Sequence, residues 1–163
     1  MLHLSKASRH TAPRTTLNAT EVAESLVQQL RAQHPERRVQ VWVQPGMWAN
    51  AYPQLFESIL QNLLVNSWNY TDQVESPRIE VGSEEVAGEI IYYVRDNGEG
   101  FDPSLAEMLF TPFQRFRPDD EHEGMGIGLS TAKRLVHRHG GRIWAEGELG
   151  LGSTFWFTVE PRH

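Results

Sequence analysis

The chain has no cysteine among its 163 residues. That excludes disulfides and cysteine-based metal or redox chemistry, and it fits a cytoplasmic setting. It also lacks any apolar run near the roughly 18 residues that a membrane-spanning helix needs. The stretch from Met1 to His10 has no apolar segment of the kind a secretory signal carries. Internal repeats and low-complexity tracts are missing too. Positive charge is scarce: 15 Lys and Arg face 21 Asp and Glu, a formal net charge of −6. That is the opposite of the basic footprint of a nucleic-acid binder. It does not exclude a small anion, which a few backbone N–H groups and two or three cations can hold locally. What remains is an ordinary soluble composition, 39% hydrophobic, with a length suited to one domain.

The local signals alternate between helix and strand. Leu2 to Arg14 is short, polar and basic and reads as the tail of an upstream helix. Asn18 with Glu21 forms a capping-box pattern, and Val22, Leu26 and Leu30 follow at helical spacing up to Pro35. Val39, Val41 and Val43 predict a strand, broken by Pro45-Gly46. Pro53 suits the first turn of a second helix, whose stripe Leu55, Ile59, Leu60, Leu63 and Leu64 runs on to about Tyr70. Arg78 to Val81 and Glu89 to Arg95 read as a hairpin joined by Gly82 to Gly88. A poorly periodic stretch with three prolines follows from Phe101 to Gly126, and loops of such length are lids or disordered. Gly128 is expected to open a third helix, ending before Gly140-Gly141. Arg142 to Ala145 and Ser153 to Val159 make a last hairpin. The class is α+β: a two-layer sandwich in which a mixed, mostly antiparallel sheet is covered on one face by about three helices.

Three short elements bear polar chemistry, and each has a plain structural reading beside a functional one. Asn62 and Asn66, four residues apart, share one face of the second helix. They are either a cap or surface stripe, or Asn66 offers its side-chain oxygen to Mg²⁺, which prefers hard oxygen ligands. Asp96-Asn97-Gly98-Glu99-Gly100 ends an apolar strand. It is either a turn, or a carboxylate that accepts a hydrogen bond from an exocyclic amine such as adenine N6, with glycines that let the backbone pass something flat. Gly124-Met125-Gly126-Ile127-Gly128-Leu129 leads into a helix, whose free N–H groups and dipole favour an anion. It is neither a Walker A loop nor a dinucleotide fingerprint.

In this order the elements are much more specific than singly, and here the chain resembles the histidine-kinase family of the Bergerat-type ATPases. Asn62 to Asn66 with Tyr70-Thr71 matches the N box, and Asp96 to Phe101 the first glycine box. Phe110 with Phe113-Gln114-Arg115-Phe116 matches the F box. Gly124 to Leu129 matches the second glycine box and Gly150 to Phe155 the last. The similarity spans about residues 16–160. The run from Phe113 to Phe116, with that from Arg138 to Glu146, is most similar to kinases attached to phytochrome-type or related PAS-type sensors.

The resemblance implies ATP and Mg²⁺ as cofactors. Asn66 holds the metal, Asp96 binds adenine N6, and Thr154 supports it through water. Tyr70 lines the ribose and phosphates, as Asn62 and Asn69 line the pocket. Gly98 and Gly100 let the chain pass the base, and residues 101–126 form the lid. Gly124, Gly126, Ile127, Gly128 and Leu129 form the phosphate loop, with Arg115 a catalytic phosphate contact and Arg117 a weaker candidate. The implied domains are residues 1–15, the end of a dimerisation helix and linker, and residues 16–163, the ATP-binding catalytic domain. The implied activity is a protein-histidine kinase of two-component signalling. Its acceptor lies on a separate dimerisation and phosphotransfer domain of the same protein, because His3 and His10 lack the acidic residue that follows an acceptor. A response regulator is the partner. No nucleic acid and no direct membrane contact are expected; the whole protein is a homodimer and the isolated domain a monomer. His137 and His139 are expected to be solvated helix-end residues, and Trp68, Trp144 and Trp156 packing residues.

Hydrolysing members of the superfamily carry a Glu four residues before the metal-binding Asn as a base for water. Here that position is Asn62, which cannot take a proton, so transfer to a protein is favoured over hydrolysis. An anti-sigma serine kinase is expected to carry a Glu in the N box, and none stands there. The alternative from another class is a degenerate nucleotide-binding regulatory module with weak kinase or mainly phosphatase output. One departure motivates it: the third residue after Asn66, commonly basic in the family, is Asn69. An amide donates to phosphate without charge, so nucleotide binding is expected to survive while transfer weakens. Asn69→Lys in the whole kinase should then raise ATP affinity or the autophosphorylation rate about fivefold, from about 1 kcal/mol of added charge-assisted bonding. Both unchanged would refute this reading of Asn69.

Overall fold

The computed structural model of the protein describes residues 13–112 and 125–161. Three helices lie on one face of a five-stranded sheet. The helices are α1 (Ala19–Gln33), α2 (Pro53–Tyr70) and α3 (Met125–Arg138). The strands are β1 (Thr15–Asn18), β2 (Gln40–Val43), β3 (Trp48–Ala51), β4 (Arg78–Val86), β5 (Glu89–Asp96), β6 (Ile143–Glu148) and β7 (Gly152–Phe157). The sheet order is β2-β4-β5-β7-β6, with β2 parallel to β4 and the other pairs antiparallel. This is the mixed two-layer α+β arrangement expected.

The helix starts follow local chemistry. The Asn18 side chain accepts from the Glu21 N–H at 3.0 Å, as the capping-box pattern predicts. Pro53 opens α2, where its missing N–H costs nothing. Phe56, Ile59, Leu60, Leu63 and Leu64 of α2 pack with Leu129, Ala132 and Val136 of α3 over Ile79, Val81, Tyr92, Val94, Phe155 and Phe157 of the sheet. The inward positions of each strand alternate with outward ones, as a sheet covered on one face requires.

Several expectations are corrected. β1 and β3 were not foreseen; they pair as a separate two-stranded ribbon, Thr15 opposite Ala51 and Asn18 opposite Trp48. β4 runs on to Val86, so the hairpin turn is only Ala87-Gly88, both at positive φ. Gly82 is a strand residue rather than a loop residue, because the Tyr93 ring opposite fills the space its Cβ would take. In the poorly periodic stretch, Pro103–Phe110 forms a 3-10 helix capped by Asp102 and anchored by buried Leu109 and Phe110. α3 begins at Met125, ahead of Gly128.

His139 is also corrected: His137 is exposed, but His139 is only 1% exposed. Its Nε2 accepts from the Tyr52 N–H at 3.1 Å and its Nδ1 donates to Leu135 O at 2.9 Å, which defines a neutral ring. Burial pushes its pKa below 6.5, aided by the charges of Arg14 and Arg138 and opposed by the bond to Leu135. The unfolded chain therefore binds the proton more readily than the native one. Stability should be complete above 6.5 and decline as pH falls below it, towards the depressed native value. Urea melts on either side of that pH should show the decline, and His139→Gln should flatten it.

Candidate nucleotide-binding site

The site forms where β5 ends against α2. Asp96 is 5% exposed and is held by donors from Ser67, Gly98 and Ser153. Ser67 Oγ donates to Oδ2 at 2.7 Å, Ser153 Oγ to Oδ2 at 3.2 Å, and the Gly98 N–H to Oδ1 at 2.8 Å. Burial raises the Asp96 pKa, and these hydrogen bonds oppose the rise. A buried carboxylate surrounded by donors is a strong acceptor for one further N–H group.

Asn66 precedes Ser67 and is 2% exposed, yet neither its Oδ1 nor its Nδ2 has a hydrogen-bond partner among the described residues. A buried amide left this way costs about 1–3 kcal/mol. One turn earlier, Asn62 donates to Ser58 O at 2.9 Å, and its Oδ1 stands 3.5 Å from the point where a Cβ on Gly128 would lie. The face of α2 carrying both asparagines thus meets the first turn of α3, whose N–H groups have no acceptor within the helix. Leu129 packs its side chain into the core.

The structure gives Gly98 and Gly100 a reason different from passage of a flat ligand. A Cβ on Gly98 would strike Tyr70 O, and one on Gly100, at φ 70°, would strike Glu148 O. The loop is stitched to its neighbours by Glu99 N–H to Tyr70 O at 3.2 Å and Gly150 N–H to Glu99 O at 2.8 Å. Gly152, at φ 104°, meets Asp96 O in the same way. Backbone passes backbone at three points, and only glycine fits them.

Thr154 is not brought to Asp96. Pairing sets Ser153 opposite Asp96 and Thr154 opposite Arg95, whose Nε donates to Thr154 Oγ1 at 3.2 Å on the sheet's outer face. Strand alternation counted back from the inward Phe157 and Phe155 would have selected Ser153. Ser67 carried no signal beyond its place beside Asn66. Tyr70 is buried at the end of α2, with Asn69 before it. Gly124, Arg115, Arg117 and the Phe113 to Phe116 run lie outside the described residues, as does the side chain of Ile127.

No group of three or more His, Asp or Glu able to hold a metal occurs among the described residues. The residues fit a magnesium ion that keeps most of its ligands as water and phosphate: Asn66 Oδ1 is a hard oxygen with no partner.

Helices on one face of a mixed sheet, a buried strand-end carboxylate and two asparagines on one face of α2 define a Bergerat-type ATP-binding domain. The chain belongs to the histidine kinase-, DNA gyrase B- and HSP90-like ATPase family, whose model matches residues 51–163. Its relatives are sensor kinases and phytochromes. It is 42% identical over 101 residues to cyanobacterial phytochrome A of Nostoc sp., covering 62% of this chain and 13% of that protein. It is 35% identical to the methanogenesis regulatory histidine kinase FilI of Methanothrix harundinacea, over 97% of this chain and 18% of that one. The chain thus spans less than a fifth of either relative's length. Histidine kinase ThkA, solved in complex with response regulator protein TrrA, matches with a TM-score of 0.72 at 21% identity, covering 91% of this chain and 42% of that one. This last likeness establishes the fold. Within the family, the chain is an ATP-binding domain of the histidine-kinase type.

Ser67→Ala removes the shortest bond to Asp96 and leaves the carboxylate less well oriented. ATP affinity should fall roughly fivefold to twentyfold, about 1–2 kcal/mol. Calorimetric titration beside the unmutated chain checks this, and unchanged affinity would separate Ser67 from the site.

Proposed function

We propose that this chain binds Mg·ATP and positions its γ-phosphoryl group for transfer to a histidine on a separate dimerisation domain of the same protein. The observation that carries the reading is the orphaned amide of Asn66, one residue from the serine that holds Asp96. Asp96 accepts from adenine N6. Asn66 holds the magnesium, which when bound supplies positive charge to the phosphate oxygens. Tyr70 and Asn69 line the pocket, and the first turn of α3, from Gly126 to Leu129, donates N–H groups to phosphate, with Arg115 adding a bidentate contact.

In the transfer, a histidine nitrogen attacks the γ-phosphorus while the bond to the β,γ-bridging oxygen breaks, and ADP leaves with that electron pair. Catalysis here is positioning and charge stabilisation. Asn62 supplies no base, which supports transfer over hydrolysis. Residues 1–15 belong to the end of the dimerisation helix and its linker, and residues 16–163 to the catalytic domain. A homodimeric, cytoplasmic sensor kinase with a response-regulator partner is the setting this implies. The sensor-kinase relatives favour it over a degenerate regulatory module.

Titration of the chain with Mg·ATP, beside Asp96→Asn, tests the reading. Saturable binding that the variant abolishes supports it. A folded, unmutated chain that binds no ATP refutes it.

A further inference from the structure

One arginine fastens the ends of α2 and α3 that lie away from the nucleotide. Arg14 Nη1 donates to Val159 O at 2.7 Å and to Asn50 O at 3.0 Å, and its Nη2 donates to His139 O at 2.5 Å. The guanidinium carbon stands 4.9 Å from the centre of the Tyr52 ring. These partners belong to β3, to the residue that caps α2, to the residue after α3, and to the segment after β7. His139 then joins the two helices directly, since its Nε2 accepts from the Tyr52 N–H and its Nδ1 donates to Leu135 O of α3. The planar fork of an arginine can serve several carbonyls at once, and its charge is favoured at the negative end of α3.

The far ends of the same helices carry the nucleotide site. α2 has 18 residues and bears Asn62, Asn66 and Ser67 along its second half. α3 has 14 residues and begins with the glycine-rich turn. At 1.5 Å per residue they are rods of about 27 and 21 Å. They pack along one another through buried side chains, so a tilt set at Tyr52 or His139 reappears at Asn66 and at the α3 N-terminus. Arg14 sits immediately before β1, where the chain enters the described fold.

We propose that Arg14 is a positioning residue: the anchor through which the segment preceding the fold sets the orientation of α2 and α3 for phosphoryl transfer. The proposal rests on the kinase reading above. It concerns the rate of transfer at saturating nucleotide rather than the holding of nucleotide, because Arg14 touches no part of the pocket.

The test uses the whole protein, with its dimerisation region, as wild type, Arg14→Ala and Arg14→Lys. Transfer at saturating Mg·ATP should fall roughly tenfold to a hundredfold in Arg14→Ala, the range a misplacement of about 1 Å costs, and less in Arg14→Lys. ATP affinity should stay at the wild-type value in both. Amide exchange of the Tyr52 N–H, which the clasp holds on His139, should be slower in the wild type than in Arg14→Ala, with or without nucleotide. Equal loss of affinity and rate would mark a purely structural role, and an unchanged rate would mark no role; either overturns the proposal. If Arg14→Ala does not fold, Arg14→Lys is read by the same criteria. If the wild type binds no ATP, the kinase reading fails instead, and the Tyr52 exchange in its absence shows the clasp intact.

Discussion

Asp96 is the one buried carboxylate among the described residues, and much of the site's geometry is the consequence of keeping it there. A carboxylate out of water needs donors, and those it has come from α2, from the loop after β5 and from β7. Each donor fixes one element against the others. Satisfying Oδ1 from Gly98 bends the chain sharply after β5, which drives that loop against Tyr70 O and Glu148 O. Satisfying Oδ2 from Ser153 holds the start of β7 so close that Gly152 lies on the Asp96 carbonyl. The glycines follow from the carboxylate, because a side chain at any of the three would push a donor or its strand away.

The face of the sheet that no described helix covers solves a different problem. Trp144 and Trp156 stack at 6.3 Å, and Tyr93 lies 5.1 Å from Trp156. So much aromatic surface without a helix over it would ordinarily invite association. Here the polar atoms of Trp156 and Tyr93 are paired, and cations lie over rings of this face. Trp156 Nε1 donates to Glu146 and Tyr93 OH to Glu80, while Arg95 and Arg142 lie over the rings of Tyr93 and Trp144. Burial and the bond to Glu80 push the Tyr93 hydroxyl up to about 12, so it remains a donor under ordinary conditions.

What could be read from the sequence was what local forces decide. The cap at Asn18, the start at Pro53 and the apolar stripe of α2 depend on neighbours within a turn, and the structure has them where the pattern puts them. The two boxes built on Asn66 and Asp96 were legible through their order along the chain and the family resemblance that order carries; singly, each read equally as a cap or a turn. The missed features were set by partners distant in sequence. Gly82 looked like a loop because its filler, Tyr93, is across the sheet. His139 looked solvated because Tyr52, which buries it, is 87 residues away. Ser153 was passed over for Thr154 because box matching ignores which face of the strand a residue occupies.

Asn66 and Asp96, linked through Ser67, bear burial in different ways. Asp96 is the stronger penalty in isolation, and its donors offset part of it, burial still leaving its pKa raised. Asn66 is a neutral amide with a smaller penalty, and nothing among the described residues offsets it. A fold selected for stability alone would place an apolar side chain at this buried position, as it does at Leu63 and Leu64 of the same helix. A ligand that meets the amide removes a cost the folded chain already bears, which adds to its affinity and, by mass action, to the stability of the bound fold. The carboxylate therefore orders this corner of the fold through its donors, whereas the amide of Asn66 is a cost the fold leaves standing.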